Sequence, residues 1–314
     1  MSEHEHCGCG HDHSHDHGES DQHVNRYAEA FAQFDLHLHD EDVAAAVGRL
    51  LAEKKAQYDT ADTRRELFGT LELTTLKVTD SEEGVLALTE KVNNFADAHP
   101  ELPHLATICV YPNFARIVAD SLEADGVEVA CVSGGFPSSQ TFLEVKTTET
   151  ALAVHDGATE IDMVLSVGAF LCGDYETCAD EISEIKAAAA EHPLKVILET
   201  GALQTAVNIK RAAILSIYAG ADFIKTSTGK IEPAATPEAA YVMCQTIREY
   251  FALTGRRIGF KAAGGISTVD DALTYYTIVR ELLGEEWLKQ GLFRIGTSRL
   301  ANLLAQELVG EKPF

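Results

Sequence analysis

The feature that most constrains the 314-residue chain is a rhythm that sets in near residue 66. Short apolar segments alternate with longer segments of helical periodicity. The expected strands cover residues 69–75, 105–112, 127–136, 160–167, 195–201, 223–229, 258–265 and 292–298. Helical patterns fill 141–156, 174–191, 206–219, 237–253 and 269–283 between them. Strands separated by helices must pair in parallel, because a parallel pair needs a long crossover. Eight such units in roughly 230 residues fit a closed α/β barrel, the (β/α)8 TIM barrel, which takes roughly 250. A doubly wound open sheet is the alternative. It is disfavoured because no G-x-G-x-x-G opens a helix after the first strand.

Three segments are therefore expected: a tail over 1–24, a helical extension over 25–65 and the barrel over 66–314. The extension has an acidic helix start at Asp40-Glu41-Asp42, followed by Val43, Val47, Leu50, Leu51 and Lys54 at helical spacing. It is expected to cover one end of the barrel. The tail holds seven histidines between His4 and His23, with Cys7 and Cys9. It has almost no apolar residue with which to build a core, so disorder is expected. Its ligand density could hold a divalent ion such as Zn²⁺ or Ni²⁺ weakly, but no fixed zinc-finger spacing appears.

Charge narrows the partners. Lys plus Arg number 25 and Asp plus Glu 49, a net charge of −24. Residues 1–23 carry six acids and no Lys or Arg, so the rest still holds 43 acids against 25 bases. Nucleic acid is a poor partner for so acidic a body. A high-salt habitat would fit such a surface. No apolar run reaches the roughly 18 residues of a membrane span. The seven cysteines are scattered without framework spacing, and no signal peptide is visible. Reduced thiols in the cytoplasm are the expectation.

Strand parity then locates chemistry. Side chains alternate faces along a strand, and the outward ones must be apolar to meet the helices. Ile161 and Met163 face out, so Asp162 points in. By the same rule Lys225 points in beside Ile224, and Lys261 beside Phe260. Cys109 and Glu72 also point in. Both lysines lie near the C-terminal ends of their strands, where barrel enzymes keep their chemistry. A lone lysine there is usually a solvated rim residue, and a lone strand cysteine is usually packing. Two inward lysines on consecutive strands differ, because burying like charges together is costly. A neighbouring cation and a dry pocket lower a lysine's pKa and leave a neutral amine for Schiff-base chemistry. The second lysine and Asp162 can then move protons.

Three glycine-bearing turns follow these strands, at 227–230, 263–265 and 296–298. Their backbone N–H groups suit a phosphate, which barrels commonly bind after strands seven and eight.

These residues resemble a known family. The segments Leu71-Glu-Leu-Thr-Thr-Leu, Ile108-Cys-Val-Tyr-Pro, Gly157-Ala-Thr-Glu-Ile-Asp-Met-Val, Phe223-Ile-Lys-Thr-Ser-Thr-Gly-Lys, Gly259-Phe-Lys-Ala-Ala-Gly-Gly and Phe293-Arg-Ile-Gly-Thr-Ser are similar to those of deoxyribose-phosphate aldolases. The resemblance runs from about residue 66 to 308, and Gly284-Glu-Glu-Trp-Leu-Lys looks like the longer family members. It implies a class I aldolase that reversibly cleaves 2-deoxy-D-ribose 5-phosphate to D-glyceraldehyde 3-phosphate and acetaldehyde. By motif matching, Lys225 would form the Schiff base and Lys261 would perturb it. Asp162 would move protons through a water, and Cys109 would line the substrate site. Thr228, Gly229, Lys230, Gly264, Gly265, Gly296 and Ser298 would bind substrate, chiefly its phosphate. The resemblance implies no metal and no other cofactor, since the iminium is the electron sink. It also suggests a homodimer or another small oligomer.

Four positions depart from the family pattern. Ala262 replaces a proline, Ser267 a polar phosphate contact, Arg299 a serine and Glu72 an aspartate. They bear on affinity more than on reaction class. Two other readings stay open. One is a different Schiff-base sugar-phosphate aldolase. The other is a metal-binding protein that acts through its tail and carries an inert barrel. Inward histidines for a metal-dependent aldolase are absent from the eight expected strands.

Overall fold

The computed structural model describes residues 26–314; the tail expected over 1–24 lies outside the described residues. The eight strands are β1 (Leu71–Thr74), β2 (Thr107–Val110), β3 (Glu128–Ser133), β4 (Glu160–Val164), β5 (Leu194–Ile197), β6 (Phe223–Lys225), β7 (Gly259–Ala263) and β8 (Phe293–Thr297). Each pairs in parallel with the next, and β8 closes on β1. The fold is the expected (β/α)8 barrel, and the doubly wound alternative is excluded. Several observed strands stop earlier than the sequence pattern does. After Lys225, for example, the chain leaves the ladder and residues 226–229 form a rim turn.

The parity rule decides the packing. Ile108, Val110, Ile161, Met163, Val196, Ile224, Phe260 and Phe293 join the helices in one apolar core outside the barrel. Cys109, Ala130 and Val132, on the opposite face of β2 and β3, form a separate apolar cluster with Leu76. Alternate residues of one strand thus belong to two different interiors.

Helix starts hold the rim above the strands. Ser81, Asp174, Thr205, Thr236 and Thr268 each accept a hydrogen bond from the backbone N–H of the third residue of the helix that follows. Asp271 returns a bond to the Thr268 backbone, completing a capping box. Each such cap is worth about 1 kcal/mol.

Helices Arg26–Phe31, Asp40–Lys54 and Ala61–Gly69 precede β1. The first packs on helix Ala206–Tyr218, and the second on Pro237–Thr254 and Val269–Leu283. Val43 and Val47 are its buried residues, and the Asp40 carboxylate accepts from the Ala206 N–H at 2.7 Å. The extension is therefore tied to the flank of the barrel through the helices that follow β5, β6 and β7.

Candidate active site

The C-terminal ends of the strands surround a cavity of about 490 Å³. Its wall includes Lys225, Lys261, Thr228, Gly229, Lys230, Gly264, Gly265, Gly296 and Ser298. Nine residues singled out in the sequence thus meet at one place, although they come from β6, β7, β8 and the turns above them. Asp162 and Cys109 do not line this wall. Both are fully buried beneath it.

The two lysines face each other because β6 and β7 pair in a register that sets Lys225 opposite Lys261. The next residue fixes that register beyond the last ladder bond. Thr226 Oγ1 donates to the Ala263 carbonyl and accepts from the Ala263 N–H, both at 3.0 Å. Asp162, on β4, joins the pair. Its Oδ2 accepts from Lys225 Nζ at 2.8 Å and from Lys261 Nζ at 2.6 Å.

Sequence reasoning missed the rest of the network. Lys195 on β5 donates to Asp162 Oδ1 at 2.9 Å and lies 2.5 Å from Glu160 Oε2. Arg294 on β8 holds Glu160 with two N–H groups at 3.0 and 2.8 Å and reaches Glu72 at 3.1 Å. Glu72 accepts in turn from Lys261. Parity would have found all three, since Lys195, Glu160 and Arg294 alternate with Val196, Ile161 and Ile295. Lys195 and Glu160 lie at or next to strand starts, where a charge in sequence looks like a solvated end. Glu72 thus bridges Lys261 and Arg294.

The electrostatics of this buried set follow from counting. Glu72, Glu160 and Asp162 supply three negative charges. Lys195, Lys261 and Arg294 supply three positive ones. Lys225 would be a fourth cation with no carboxylate of its own. Burial pushes its pKa down, Asp162 opposes this, and the Lys261 ammonium adds to the lowering; the result lies below the ordinary lysine value. Burial acts the same way on Lys195 and Lys261, but their carboxylates outweigh it and hold both above that value. For Asp162 burial raises the pKa, yet Lys195, Lys225 and Lys261 overcome it and hold the carboxyl well below its usual range. Glu72 is likewise drawn down against burial, by Lys195 and Lys261, to about 2. Lys225 is thus the member of the set that can be a neutral amine. In that form it would still donate an N–H to Asp162 and keep a lone pair.

Burial raises the pKa of the Cys109 thiol. It is a protonated side chain packed with Leu76, Ala130 and Val132, not a nucleophile. Glu72, Cys109 and Asp162 lie close enough together to form a three-donor group. Their carboxylates already accept from lysine and arginine N–H groups, so the place a metal ion would need carries positive charge.

Glycine shapes the rim of the cavity. At Gly264, with φ of +90°, an added Cβ would come within 2.6 Å of Ala234 Cβ and 3.1 Å of Gly229 Cα. The turns after β6 and β7 therefore approach backbone to backbone at the cavity wall. At Gly296 a Cβ would crowd the Lys261 stem at 3.2 Å. Lys77, Lys230 and Arg299 add cationic side chains to the same wall, as Ser267 adds a hydroxyl.

Residues 72–285 match the family model described as DeoC/LacD family aldolase. The chain belongs to the DeoC/LacD aldolase family. It is 41% identical to the deoxyribose-phosphate aldolase of Homo sapiens over 248 residues, covering 76% of this chain and 78% of that one. The Bos taurus enzyme of the same name is 40% identical over 240 residues, 73% of this chain and 76% of that protein. Among solved structures, the deoxyribose phosphate aldolase of Aeropyrum pernix superposes with a TM-score of 0.64 at 25% identity. That match covers 82% of this chain and 98% of the other, which is described as having a unique tetrameric structure. Family membership and barrel geometry thus agree on class I aldolase chemistry.

Proposed function

We propose that the chain is a deoxyribose-phosphate aldolase acting through a Schiff base on Lys225. One observation supports this most strongly: Asp162 Oδ2 is shared by Lys225 and Lys261 at 2.8 and 2.6 Å, in a set where Lys225 is the surplus cation. The neutral Lys225 amine attacks the C1 aldehyde of open-chain 2-deoxyribose 5-phosphate, and loss of water gives an iminium. The C3 hydroxyl then loses its proton. The C2–C3 bond breaks and its electron pair moves toward the iminium nitrogen. Glyceraldehyde 3-phosphate leaves with the C3 oxygen as its carbonyl. The remaining enamine takes a proton at C2, and water releases acetaldehyde from Lys225. Asp162 accepts and returns the protons through a water, and Lys261 keeps Lys225 neutral and relays them. The phosphate lies against the Gly229, Gly264–Gly265 and Gly296–Ser298 turns with Lys230. Cys109 forms part of the apolar floor beneath the two-carbon unit.

A small homo-oligomer belongs to the same reading, and sedimentation in solution tests it. Cytoplasmic residence is likewise a proposal; among the described residues no helix is long and apolar enough to cross a membrane. Weak divalent-metal binding by residues 1–24 would be separate from catalysis. Deleting residues 1–23 should leave cleavage of deoxyribose 5-phosphate unchanged.

The deciding experiment is borohydride reduction in the presence of acetaldehyde. A stable two-carbon adduct should map to Lys225 by mass spectrometry. A wild-type protein that cleaves the sugar phosphate while Lys225 stays unmodified would overturn the mechanism.

A further inference from the structure

Glu199 follows β5 by two residues and holds a left-handed backbone, with φ of 57° and ψ of 59°. For a residue with a side chain this costs on the order of 1–3 kcal/mol and persists only where the surroundings impose it. The surroundings do so here. Leu198 N–H donates to the Lys225 carbonyl and Thr200 N–H to the Thr226 carbonyl, each at 2.9 Å. The residue between these two bonds has little freedom. Glycine or asparagine would suit such a conformation better, so the side chain present should have a use.

The use is visible in its partners. The buried Glu199 carboxylate accepts from Thr228 N–H at 3.1 Å and from Thr228 Oγ1 at 2.5 Å. Thr228 lies in the cavity wall, three residues beyond Lys225 and just before Gly229 and Lys230. Its hydroxyl proton is committed to Glu199. One of its two lone pairs accepts from Lys230 N–H at 3.1 Å. What remains is a single acceptor position on a hydroxyl that cannot rotate.

We infer that Glu199 is a specificity-determining positioning residue: it fixes Thr228 as an acceptor for a hydroxyl on the substrate chain, and so selects acceptor aldehydes that carry one. The chain position between Schiff-base lysine and phosphate turn matches the hydroxyl that stays on the glyceraldehyde phosphate, not the one that becomes its carbonyl. This inference rests on the aldolase reading above. A site built to meet a substrate hydroxyl rejects the analogue without it, because the buried polar group is then left unpaired.

The test is condensation of acetaldehyde with glyceraldehyde 3-phosphate and with 3-oxopropyl phosphate, which lacks the hydroxyl. The wild-type protein should favour the first in kcat/KM by about 10-fold or more. Glu199→Gly suits the backbone and removes the carboxylate, so it should stay folded by circular dichroism. It should lose most of that preference by slowing the hydroxylated aldehyde, with the other changed less than about 3-fold. Thr228→Val should reach the same floor, and the double variant should fall no further. Equal losses for both aldehydes in Glu199→Gly would mean a merely structural role and overturn the inference, as would multiplying effects or a wild type without preference. Acetaldehyde trapping on wild-type Lys225 separates the two readings. Trapping with no loss of preference in the variants overturns this inference alone, and no trapping overturns both.

Discussion

The barrel interior has two tiers built from the same residue types, and they come to opposite ends. In the lower tier Arg294 grips Glu160 with two N–H groups, and Lys195 lies 2.5 Å from the same carboxylate. The Phe223 ring lies beneath both cations, 6.0 Å from Lys195 Nζ and 5.8 Å from Arg294 Cζ. Gly259 leaves room for that ring, since a Cβ there would come within 2.2 Å of it. In the upper tier Lys225 and Lys261 share one oxygen of Asp162 and border the cavity. The difference is stoichiometry and access. Below, Glu160 and Glu72 together balance Lys195 and Arg294, and none of the four lines the cavity. Above, Asp162 faces two lysines that line the cavity, so one cation is in excess beside open space.

The largest break in this contrast is Lys225→Ala. Because Lys225 is the surplus charge, its loss leaves a balanced set behind. Cleavage of deoxyribose 5-phosphate should fall on the order of 10⁴-fold or more while the thermal midpoint hardly changes. A steady-state assay paired with a melting curve checks both halves. Retained activity would mean that the excess cation is not the nucleophile.

Asp162→Asn comes next, because it cuts the joint between the tiers. An amide cannot offset Lys195 on one side and two lysines on the other. The rate should drop about 10²–10⁴-fold through lost proton transfer. Stability should drop too, by about 3–5 kcal/mol, because buried cations lose their counter-charge. Urea titration alongside kcat separates the two losses. A variant that is destabilised yet fully active would leave Asp162 a purely structural residue.

This contrast also explains what could be seen in the sequence. The strands were legible because two constraints coincide: outward positions must be apolar for the helices, and inward ones are then fixed by parity. Lys225, Lys261 and Asp162 stand out since each follows a large apolar residue (Ile224, Phe260 or Ile161) inside a strand. Lys195 and Glu160 obey the same parity, but they sit at or beside strand starts, where the flanking pattern is cut short. Glu199 left no trace at all. Its importance comes from a backbone conformation that the β5–β6 bonds impose, and a glutamate carries no signal for positive φ. The cap hydroxyls at Ser81, Thr205, Thr236 and Thr268 were legible in principle, as a Ser or Thr just before each helical pattern.

The lower tier can be broken on its own. Glu160→Gln leaves Arg294 and Lys195 short of a buried counter-charge, and stability should fall by about 3–5 kcal/mol in a urea titration. The cavity is untouched, so kcat should change less than about 3-fold. A large fall in kcat at full stability would erase the distinction between the tiers.

The finest test asks whether Lys261 acts on Lys225 by charge. Adduct formation with acetaldehyde needs the neutral Lys225 amine, so its rate rises with pH until that amine has lost its proton. Burial and the Lys261 ammonium lower the Lys225 pKa, and Asp162 opposes them. Lys261→Met removes the like charge and also frees Asp162 Oδ2 to face Lys225 alone. Both changes favour the ammonium form, so the midpoint of the trapping rate should move to higher pH by about one unit or more. Lys261→Arg keeps the charge and should leave the midpoint within about half a unit of wild type. Borohydride trapping across a pH series reads this step apart from carbon–carbon cleavage, in which Lys261 has its second task. A midpoint that stays put in Lys261→Met would mean that burial alone keeps Lys225 neutral, and the surplus charge would then be tolerated without its neighbour's help.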